Sequence, residues 1–237
     1  MFQAVIFDID GVVVETPHEQ AWREALTGLA DPARFTTDFY QQNVAGKPRM
    51  DGALAALRGL GVARAETAVH AYAERKQKLI DGLIAKRAFA VFPDAVRLLE
   101  ALKAHGIRTA AASSSKNANP MLRLIPFASG TLLDAFDANL CGRDFAHGKP
   151  APDIFLAAAE ELRIPPARCV VVEDAPAGVA AARAGGMASV GIARLDDAAL
   201  LQAAHADLVV TSLDEVSVDA LMAGTLEGRP HPPITEI

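Results

Sequence analysis

The chain has 237 residues, which is enough for one α/β domain or for a domain that carries a large insertion. Its 51% hydrophobic residues and mean hydropathy of +0.19 exclude a disordered chain, and no apolar run reaches the ~18 residues that a membrane span needs. The net charge of −6 argues against a nucleic-acid partner, and two cysteines without metal-ligand spacing, together with the lack of a leader pattern, favour a cytoplasmic protein with reduced thiols.

The chain opens with a strand pattern that ends in two carboxylates. Residues 4–7, Ala-Val-Ile-Phe, form the continuous apolar run typical of a strand that is covered on both faces of a parallel sheet. Asp8 and Asp10 follow, so both side chains can point into the crevice at the carboxyl end of this strand. Two carboxylates so close are unfavourable unless a cation or a shared proton lies between them. Taken alone, the pattern is also compatible with a turn that the acids cap.

The next segment indicates helices without strands. Residues 16–19, Thr-Pro-His-Glu, are typical of a helix start, with the threonine as N-cap and the glutamate closing a capping box, and this helix is expected to reach about Leu29. Further helical patterns cover about 49–60 and 65–85. We therefore expect an all-helical cap domain at residues 16–88.

From residue 93 onwards helices and strands alternate. The expected elements are a helix at 93–106, strands at 107–115 and 136–142, a helix at 152–162, a strand at 169–174, a helix at 176–184, a strand at 188–193, a helix at 196–204 and a strand at 206–212. Such alternation predicts a Rossmann-like, doubly wound parallel sheet. The core domain would comprise residues 1–15 and 89–237, and its proline-rich tail from Glu227 is expected to be loosely held.

Polar groups follow four of these predicted segments: Asp8 with Asp10, Ser113, Lys149, and Glu173 with Asp174. Because parallel strands end at one edge of a sheet, these groups can converge. Carboxylates suit Mg²⁺, whereas a hydroxyl and an ammonium group suit a phosphate. A carboxylate can also attack phosphorus, and a second acid can protonate the leaving oxygen. The combination predicts Mg²⁺-dependent phosphoryl transfer.

Four segments resemble, in order, the motifs of the haloacid dehalogenase-like superfamily: FDIDGVVVET, AAASSSKN, KPAPDIF and VVVEDAPAGVAAARAGG. The resemblance spans nearly the whole chain and implies a Rossmann-like core with a helical cap inserted after the first motif. It implies Asp8 as nucleophile and Asp10 as acid/base. Mg²⁺ would be held by Asp8, by the main-chain carbonyl of Asp10, and by Asp174 with Glu173 beside it. The phosphoryl group would be held by Ser113 and Lys149.

Within the superfamily the chain is most similar to the β-phosphoglucomutase-like subfamily. Residues 113–117 resemble a phosphate-contacting motif, which adds Ser114, Ser115, Lys116 and Asn117 to Ser113. Residues 45–57 resemble a substrate loop that contains Gly46 and in which Arg49 grips the phosphate that is not transferred. Lys76 stands in the place of a sugar-contacting lysine.

His18 matches a histidine that restrains the reaction until substrate binds.

A mutase needs two anion sites that face each other, and arginine suits the second of them. Glu15 and Lys47-Pro48 differ from the residues of the subfamily at these places, so the identity of the sugar stays open. Three alternatives to a sugar-phosphate mutase are a phosphatase of small phosphomonoesters, such as sugar phosphates or phosphoglycolate, a phosphoacceptor signalling domain, and a silent binding protein. Signalling domains of that kind are only about half this length and lack a cap after the first strand. The expected partner is a phosphate ester, and the expected state is a monomer or weak homodimer.

Overall fold

A computed structural model describes residues 1–228, and its framework is a six-stranded parallel sheet. The strands are β1 (Ala4–Phe7), β2 (Val14–Glu15), β3 (Ala90–Val91), β4 (Arg108–Ala111), β5 (Pro126–Phe127), β6 (Gly130–Thr131), β7 (Ala138–Asn139), β8 (Cys169–Glu173), β9 (Ala188–Ile192) and β10 (Leu208–Val210). The six-stranded sheet has the order β10-β9-β8-β1-β4-β7. This is the predicted doubly wound arrangement, with β1 at its centre.

Helices connect these strands and form the inserted segment. They are α1 (His18–Ala25), α2 (Thr37–Asn43), α3 (Arg49–Gly59), α4 (Ala65–Ala85), α5 (Pro93–Ala104), α6 (Ala118–Leu124), α7 (Asp153–Leu162), α8 (Pro176–Ala184), α9 (Ala198–Ala203) and α10 (Val218–Ala223). Over the part of the chain that the structure describes, no helix combines the length and apolar character that a bilayer crossing requires.

The central strand is buried on both faces, as its apolar run predicts. Val5 and Phe7 belong to one hydrophobic cluster, and Ala4 and Ile6 belong to another on the opposite face. Each of the four residues is at most 1% exposed. Alternate side chains of a strand point to opposite faces, so both layers of helices pack on the same strand.

The strand register places the ends of three strands at one edge. Phe7 aligns with Ala111 of β4 on one side and with Val172 of β8 on the other. Asp8 and Glu173 therefore lie next to each other on adjacent strands. Ser113 lies two residues beyond Ala111 at the same edge, which is where open α/β sheets bind ligands.

Helices α1–α4 form a separate hydrophobic cluster that includes Trp22, Leu26, Phe35, Leu57 and Tyr72. The two chain crossings to this helical cap pair as a short antiparallel ladder of β2 and β3. The inserted helical cap is therefore confirmed. The boundaries of the cap domain at residues 16 and 88 stay a prediction, which this pairing supports.

The predicted start of α1 was wrong in its details. The N-cap is Pro17, with no side-chain cap, and the helix ends at Ala25, not near Leu29. The Glu19 carboxylate accepts hydrogen bonds from Arg23 and Thr37 and does not close a capping box. A glutamate within reach of an arginine one turn later gains a charge-assisted bond that a capping box would lack.

Other boundaries shifted as well. Strand β4 ends at Ala111, so Ser113 to Ser115 lie in a loop, and the strand expected at 136–142 is reduced to Ala138–Asn139. Helices α2, α6 and α10 and the ladders β2–β3 and β5–β6 were not predicted. The structure of the expected loose tail lies outside the described residues from residue 229 onwards.

Candidate active site

A buried lysine links the first and the last of the predicted catalytic motifs. Nζ of Lys149 lies 2.6 Å from Oδ1 of Asp8 and 2.6 Å from Oε1 of Glu173. Asp8 follows β1, Glu173 ends the adjacent β8, and Lys149 lies in the loop before α7. All three side chains are almost wholly buried. The lysine therefore balances two carboxylates that would otherwise repel each other at this edge.

These contacts shift the pKa values of the nucleophile candidate and of its partner. Burial raises the pKa of Asp8 to about 7, with Lys149 opposing the rise and the charges of Glu173 and Asp10 adding to it. Burial acts to lower the pKa of Lys149, but the two carboxylates hold it above its usual value. Lys149 thus stays charged, whereas Asp8 needs further positive charge in its surroundings to be fully ionised at neutral pH.

The contacts of Glu173 differ from its predicted place beside a metal ion. Its Oε1 accepts from Lys149, and its Oε2 accepts from the backbone amides of Asp174 at 3.1 Å and Ala175 at 3.2 Å. A Cβ on Gly178 would lie 1.8 Å from Oε1, so glycine there leaves room for the carboxylate. Since both oxygens are engaged, Glu173 is placed to position Lys149, and Asp8 and Asp174 are left as the carboxylate candidates for a metal ion.

Asp10 is held by one group from the core and one from the cap. Its Oδ2 accepts a hydrogen bond from Oγ of Ser113 at 2.8 Å, and its Oδ1 lies 3.0 Å from Nε2 of His18. Nδ1 of His18 lies 3.2 Å from Nζ of Lys76, which in turn lies 4.8 Å from the ring centroid of Trp22. Because a lysine only donates, we assign Nδ1 as the acceptor and place the proton of the imidazole on Nε2, facing Asp10.

Burial sets the charge states of this chain of contacts. Burial and the charge of Lys76 lower the pKa of His18, although Asp10 acts to raise it. Burial also lowers the pKa of Lys76 to about 8. For Asp10, burial acts to raise the pKa, but His18 and Ser113 outweigh it and the pKa is lowered. A neutral imidazole therefore faces an ionised Asp10 at neutral pH.

The loop after β4 is organised by its own serines. Oγ of Ser113 accepts from the backbone amide of Ser115 at 3.0 Å, and Oγ of Ser115 accepts from the amide of Asn117 at 3.2 Å. Lys116 is exposed and pairs with Asp144 at 3.0 Å. The loop thus presents hydroxyl groups and an ammonium group at one edge of the sheet, a set that suits an anion.

Two hydrogen bonds connect this loop to the cap, and a third, within the cap, orients Arg49. Oγ of Ser114 donates to the carbonyl of Gly46 at 3.4 Å, and Nε2 of Gln77 donates to Oδ1 of Asn117 at 2.9 Å. Nη1 of Arg49 donates to Oε1 of the same Gln77 at 2.9 Å. The arginine at the start of α3 is therefore oriented by a residue that also touches the core.

A cavity of about 290 Å³ lies between the cap and the core. The two sides approach closely, since a Cβ on Gly148 would lie 2.1 Å from Cγ of Pro48. Of the fourteen residues predicted for the site, those that line this cavity are Asp8, Asp10, His18, Gly46, Arg49, Lys76, Ser113, Ser114, Ser115, Lys116, Asn117, Lys149 and Asp174. The exception is Glu173. The structure brings the predicted residues together, while their catalytic and binding roles stay predictions.

The acidic residues of the cavity fit a divalent cation. In the described part of the chain, no three acidic, histidine or cysteine side chains form a ready-made metal centre. Burial and neighbouring carboxylates, Asp8 among them, raise the pKa of Asp174 well above its usual value. The Asp174 carboxylate also approaches Gly11, where a Cβ would lie 1.9 Å from Oδ2. Mg²⁺ takes few carboxylates and keeps several waters, so Asp8, Asp174 and the carbonyl of Asp10 suit it.

Sequence reasoning missed an arginine that holds the loop after β1. Arg194 donates from Nε to the carbonyl of Gly11 and from Nη2 to that of Val12, each at 3.1 Å. Its guanidinium pairs with Asp94 at 3.0 Å and stacks on the ring of Phe92, 3.7 Å from the centroid. Arg194 directly follows the expected strand at 188–193, and that position after a strand was the available signal.

Two further lining residues had no usable signal. Tyr40 comes from the unpredicted helix α2, and Gln77 lies in the middle of α4 among other polar residues. Their position at the cavity depends on how the cap packs on the core, which helix periodicity does not specify.

The family model for haloacid dehalogenase-like hydrolases matches residues 2–186. The chain belongs to the haloacid dehalogenase-like hydrolase family. The β-phosphoglucomutase of Mycobacterium bovis is 36% identical over 90% of this chain and 91% of that protein. The fructose-1-phosphate phosphatase of Escherichia coli is 30% identical over 81% of this chain and 96% of its own length.

A solved structure shares the family fold. The archaeal β-phosphoglucomutase of a Pyrococcus species superposes with a TM-score of 0.72 at 33% identity, covering 93% of this chain and 99% of that chain. The predicted superfamily, its β-phosphoglucomutase-like character and the α/β fold with an inserted cap are thereby confirmed. The chain is an enzyme of the haloacid dehalogenase-like family, whose members named above transfer or hydrolyse phosphate.

Proposed function

We propose that this haloacid dehalogenase-like enzyme is an Mg²⁺-dependent sugar-phosphate mutase that works through a phosphorylated aspartate. The observation that carries the proposal is one cavity with cationic groups on two walls: Lys149 on the core and Arg49 on the cap. A sugar with a phosphate at each end needs such a pair of anion sites, whereas a phosphatase needs only the core site.

Asp8 supplies the nucleophile in this mechanism. One carboxylate oxygen is held by Lys149, so the other is free to form a bond to phosphorus while the ester oxygen leaves. Asp10, ionised in the resting site, takes the proton of the sugar hydroxyl that attacks the phosphoryl-Asp8 and gives it to the ester oxygen that leaves in the other half-reaction. The phosphoryl group passes between two hydroxyls of the sugar, and Asp8 is regenerated.

Mg²⁺ would be held by Asp8, by Asp174 and by the main-chain carbonyl of Asp10, and when bound it would screen the charge of the phosphoryl oxygens from the carboxylates. Ser113 and Lys149 orient the group that is transferred. Asp8, Ser113 and Asp174 follow the neighbouring strands β1, β4 and β8, a rigid framework that limits motion of the reacting groups.

The cap supplies the second anion site and a restraint on Asp10. Arg49, oriented by Gln77, holds the phosphate that is not transferred. His18 occupies Oδ1 of Asp10, the oxygen that would carry the proton, until the substrate hydroxyl takes its place. Lys76 keeps the proton of the imidazole on Nε2, the nitrogen that faces Asp10.

The test follows β-glucose 1-phosphate with Mg²⁺ and a catalytic amount of the sugar bisphosphate. The mutase proposal expects glucose 6-phosphate without release of inorganic phosphate. Release of phosphate at the rate of substrate loss would instead establish a phosphatase, the activity named for the relative from Escherichia coli. Failure to turn over any phosphate ester would contradict both activities.

A further inference from the structure

A second cavity, of about 270 Å³, is also lined by Asp10 and Asp174. It is separate from the cavity between Arg49 and Lys149, and the residues that line both are Asp10, Tyr40 and Asp174. Its walls come from residues 15–16 at the crossing into the cap, which we call the hinge, from α1 and α2, and from the loop after β9. Two chambers therefore meet at the carboxylates that suit a divalent cation.

The two cavities carry opposite charge. The second is lined by five carboxylates and one guanidinium, namely Asp10, Glu15, Glu19, Asp174, Asp197 and Arg194. The first is lined by six lysine and arginine side chains against four carboxylates. Clefts lined by one sign of charge raise the local concentration of the opposite ion and speed its association. The first cavity thus favours an anionic ester, and the second favours a cation.

A buried amide in the second cavity points to a polar occupant. Gln41 lines the cavity and is only 3% exposed, and its amide oxygen has no hydrogen-bond partner among the described residues. A buried acceptor without a partner destabilises the fold by roughly 1–3 kcal/mol unless water or a ligand satisfies it. Such an oxygen is a suitable acceptor for the water shell of a metal ion.

We propose that the second cavity is the route by which hydrated Mg²⁺ reaches Asp174 and Asp10, while the phosphate ester occupies the first cavity. This inference rests on the proposed Mg²⁺ dependence. Mg²⁺ gives up its waters reluctantly, so it needs a wide polar chamber next to its final ligands. One water needs roughly 10–15 Å³ of cavity volume. The second cavity, at about 270 Å³, therefore has room for the ion and its shell of water molecules.

The route can be tested at Leu195, which lines the second cavity and is 49% exposed. Leu195→Lys adds a positive charge there, and Leu195→Glu adds a negative one. Leu124→Lys on α6 is the matched control, since Leu124 is 39% exposed and lines neither cavity. Calorimetry gives the dissociation constant of Mg²⁺, and release into a fluorescent chelator in a stopped-flow instrument gives the dissociation rate.

The quotient of the two quantities is the association rate constant. We expect Leu195→Lys to lower it about threefold at low ionic strength and Leu195→Glu to raise it by a similar factor, with both effects shrinking at high salt. Leu124→Lys is expected to keep the wild-type value. Equal association rates for Leu195→Lys and Leu124→Lys, with Mg²⁺ binding intact, would overturn the route and leave the proposed function in place.

A second pair of variants tests the amide without any change of charge. Gln41→Leu removes the buried acceptor, and Gln42→Leu makes the same change at the exposed neighbour. The route predicts that Gln41→Leu lowers the association rate constant of Mg²⁺ about threefold. Gln42→Leu is expected to keep the wild-type rate constant. Equal rates in the two variants would count against the route. Absence of any Mg²⁺ binding to the wild-type protein would overturn the route and the proposed metal dependence together.

Discussion

Nζ of Lys149 lies 2.6 Å from Oδ1 of Asp8, and the lysine side chain has no exposed surface. The two residues are 141 positions apart in the chain, and the parallel pairing of β1 with β8 and the loop before α7 bring them together. The same ammonium group binds Glu173. A single buried cation therefore orients the nucleophile candidate and stabilises the sheet edge on which it lies.

Lys149→Met is expected to damage both stability and catalysis. Removal of the lysine leaves Asp8 and Glu173 as buried, unbalanced carboxylates, so we expect a loss of about 3–5 kcal/mol in the free energy of unfolding. We also expect kcat to fall at least about a thousandfold, because the developing charge loses its main partner. Urea titration and steady-state kinetics measure the two effects.

The control for this variant is Lys103→Met. Lys103 is exposed, donates to the carbonyl of Ala135 and does not line the cavity. The free energy of unfolding of Lys103→Met should fall by about 1 kcal/mol, and its kcat should stay at the wild-type value. A Lys149→Met enzyme that retained normal kcat would contradict the assignment of Lys149.

Lys76→Met is expected to make the protein more stable and less active. Burial lowers the pKa of Lys76 to about 8 from its usual 10.5, so the charged side chain opposes folding by roughly 3 kcal/mol at pH 7. Because the folded-state value is the lower one, this penalty is complete below pH 8 and disappears as the pH rises towards 10.5.

The stability difference between Lys76→Met and wild type should therefore be largest near pH 7 and vanish above pH 10. Chemical denaturation at several pH values measures it. A difference that did not change with pH would contradict the burial of a charged Lys76. The matched change Lys78→Met, at an exposed neighbouring position on α4, should leave the free energy of unfolding near the wild-type value.

Arg49→Ala is expected to separate the two activities of the cavity. It removes the proposed second anion site, so isomerisation of β-glucose 1-phosphate should fall by at least about a hundredfold, while hydrolysis of p-nitrophenyl phosphate should change less than about threefold. Arg58→Ala at the other end of α3 is the control, because its guanidinium is exposed and pairs with the equally exposed Glu66. Equal losses in the two assays would remove Arg49 from substrate recognition.

Arg194→Met is expected to destabilise the loop that follows β1. The change leaves Asp94 buried without its main cation and frees two backbone carbonyls, so the cost should be about 3–5 kcal/mol. Arg97→Met, which breaks the exposed pair with Asp214, should cost less than about 1 kcal/mol. Thermal unfolding of the two variants checks the contrast, and similar losses would contradict the structural role of Arg194.

Sequence patterns located most of the core site because the underlying rule is simple. Polar residues after buried strands must lie at the carboxyl edge of a parallel sheet, which placed Asp8, Ser113 and Asp174 correctly. The rule does not say which carboxylate faces a cation and which faces a lysine. The sequence analysis therefore placed Glu173 beside the metal together with Asp174. In the structure Glu173 is the last residue of β8, and its carboxylate faces Lys149.

The cap was harder to predict. Arg49, Lys76 and His18 came from resemblance to a family and not from their spacing, since each is also compatible with a helix surface. Tyr40 escaped because α2 has seven residues and little periodicity. The second cavity could not be seen at all, since it is formed by the hinge, two cap helices and a core loop that share no sequence pattern.

The most direct test of the account is to identify the residue that carries the phosphoryl group. Protein incubated with Mg²⁺ and a small acyl phosphate donor is quenched and treated with borohydride, which reduces an aspartyl phosphate to homoserine. The tryptic peptide that ends at Arg23 and contains positions 8 and 10 is then sequenced by mass spectrometry. The account predicts homoserine at position 8 and none in Asp8→Asn. Turnover by the wild-type enzyme with the modification at another residue, or with no modification at all, would contradict it.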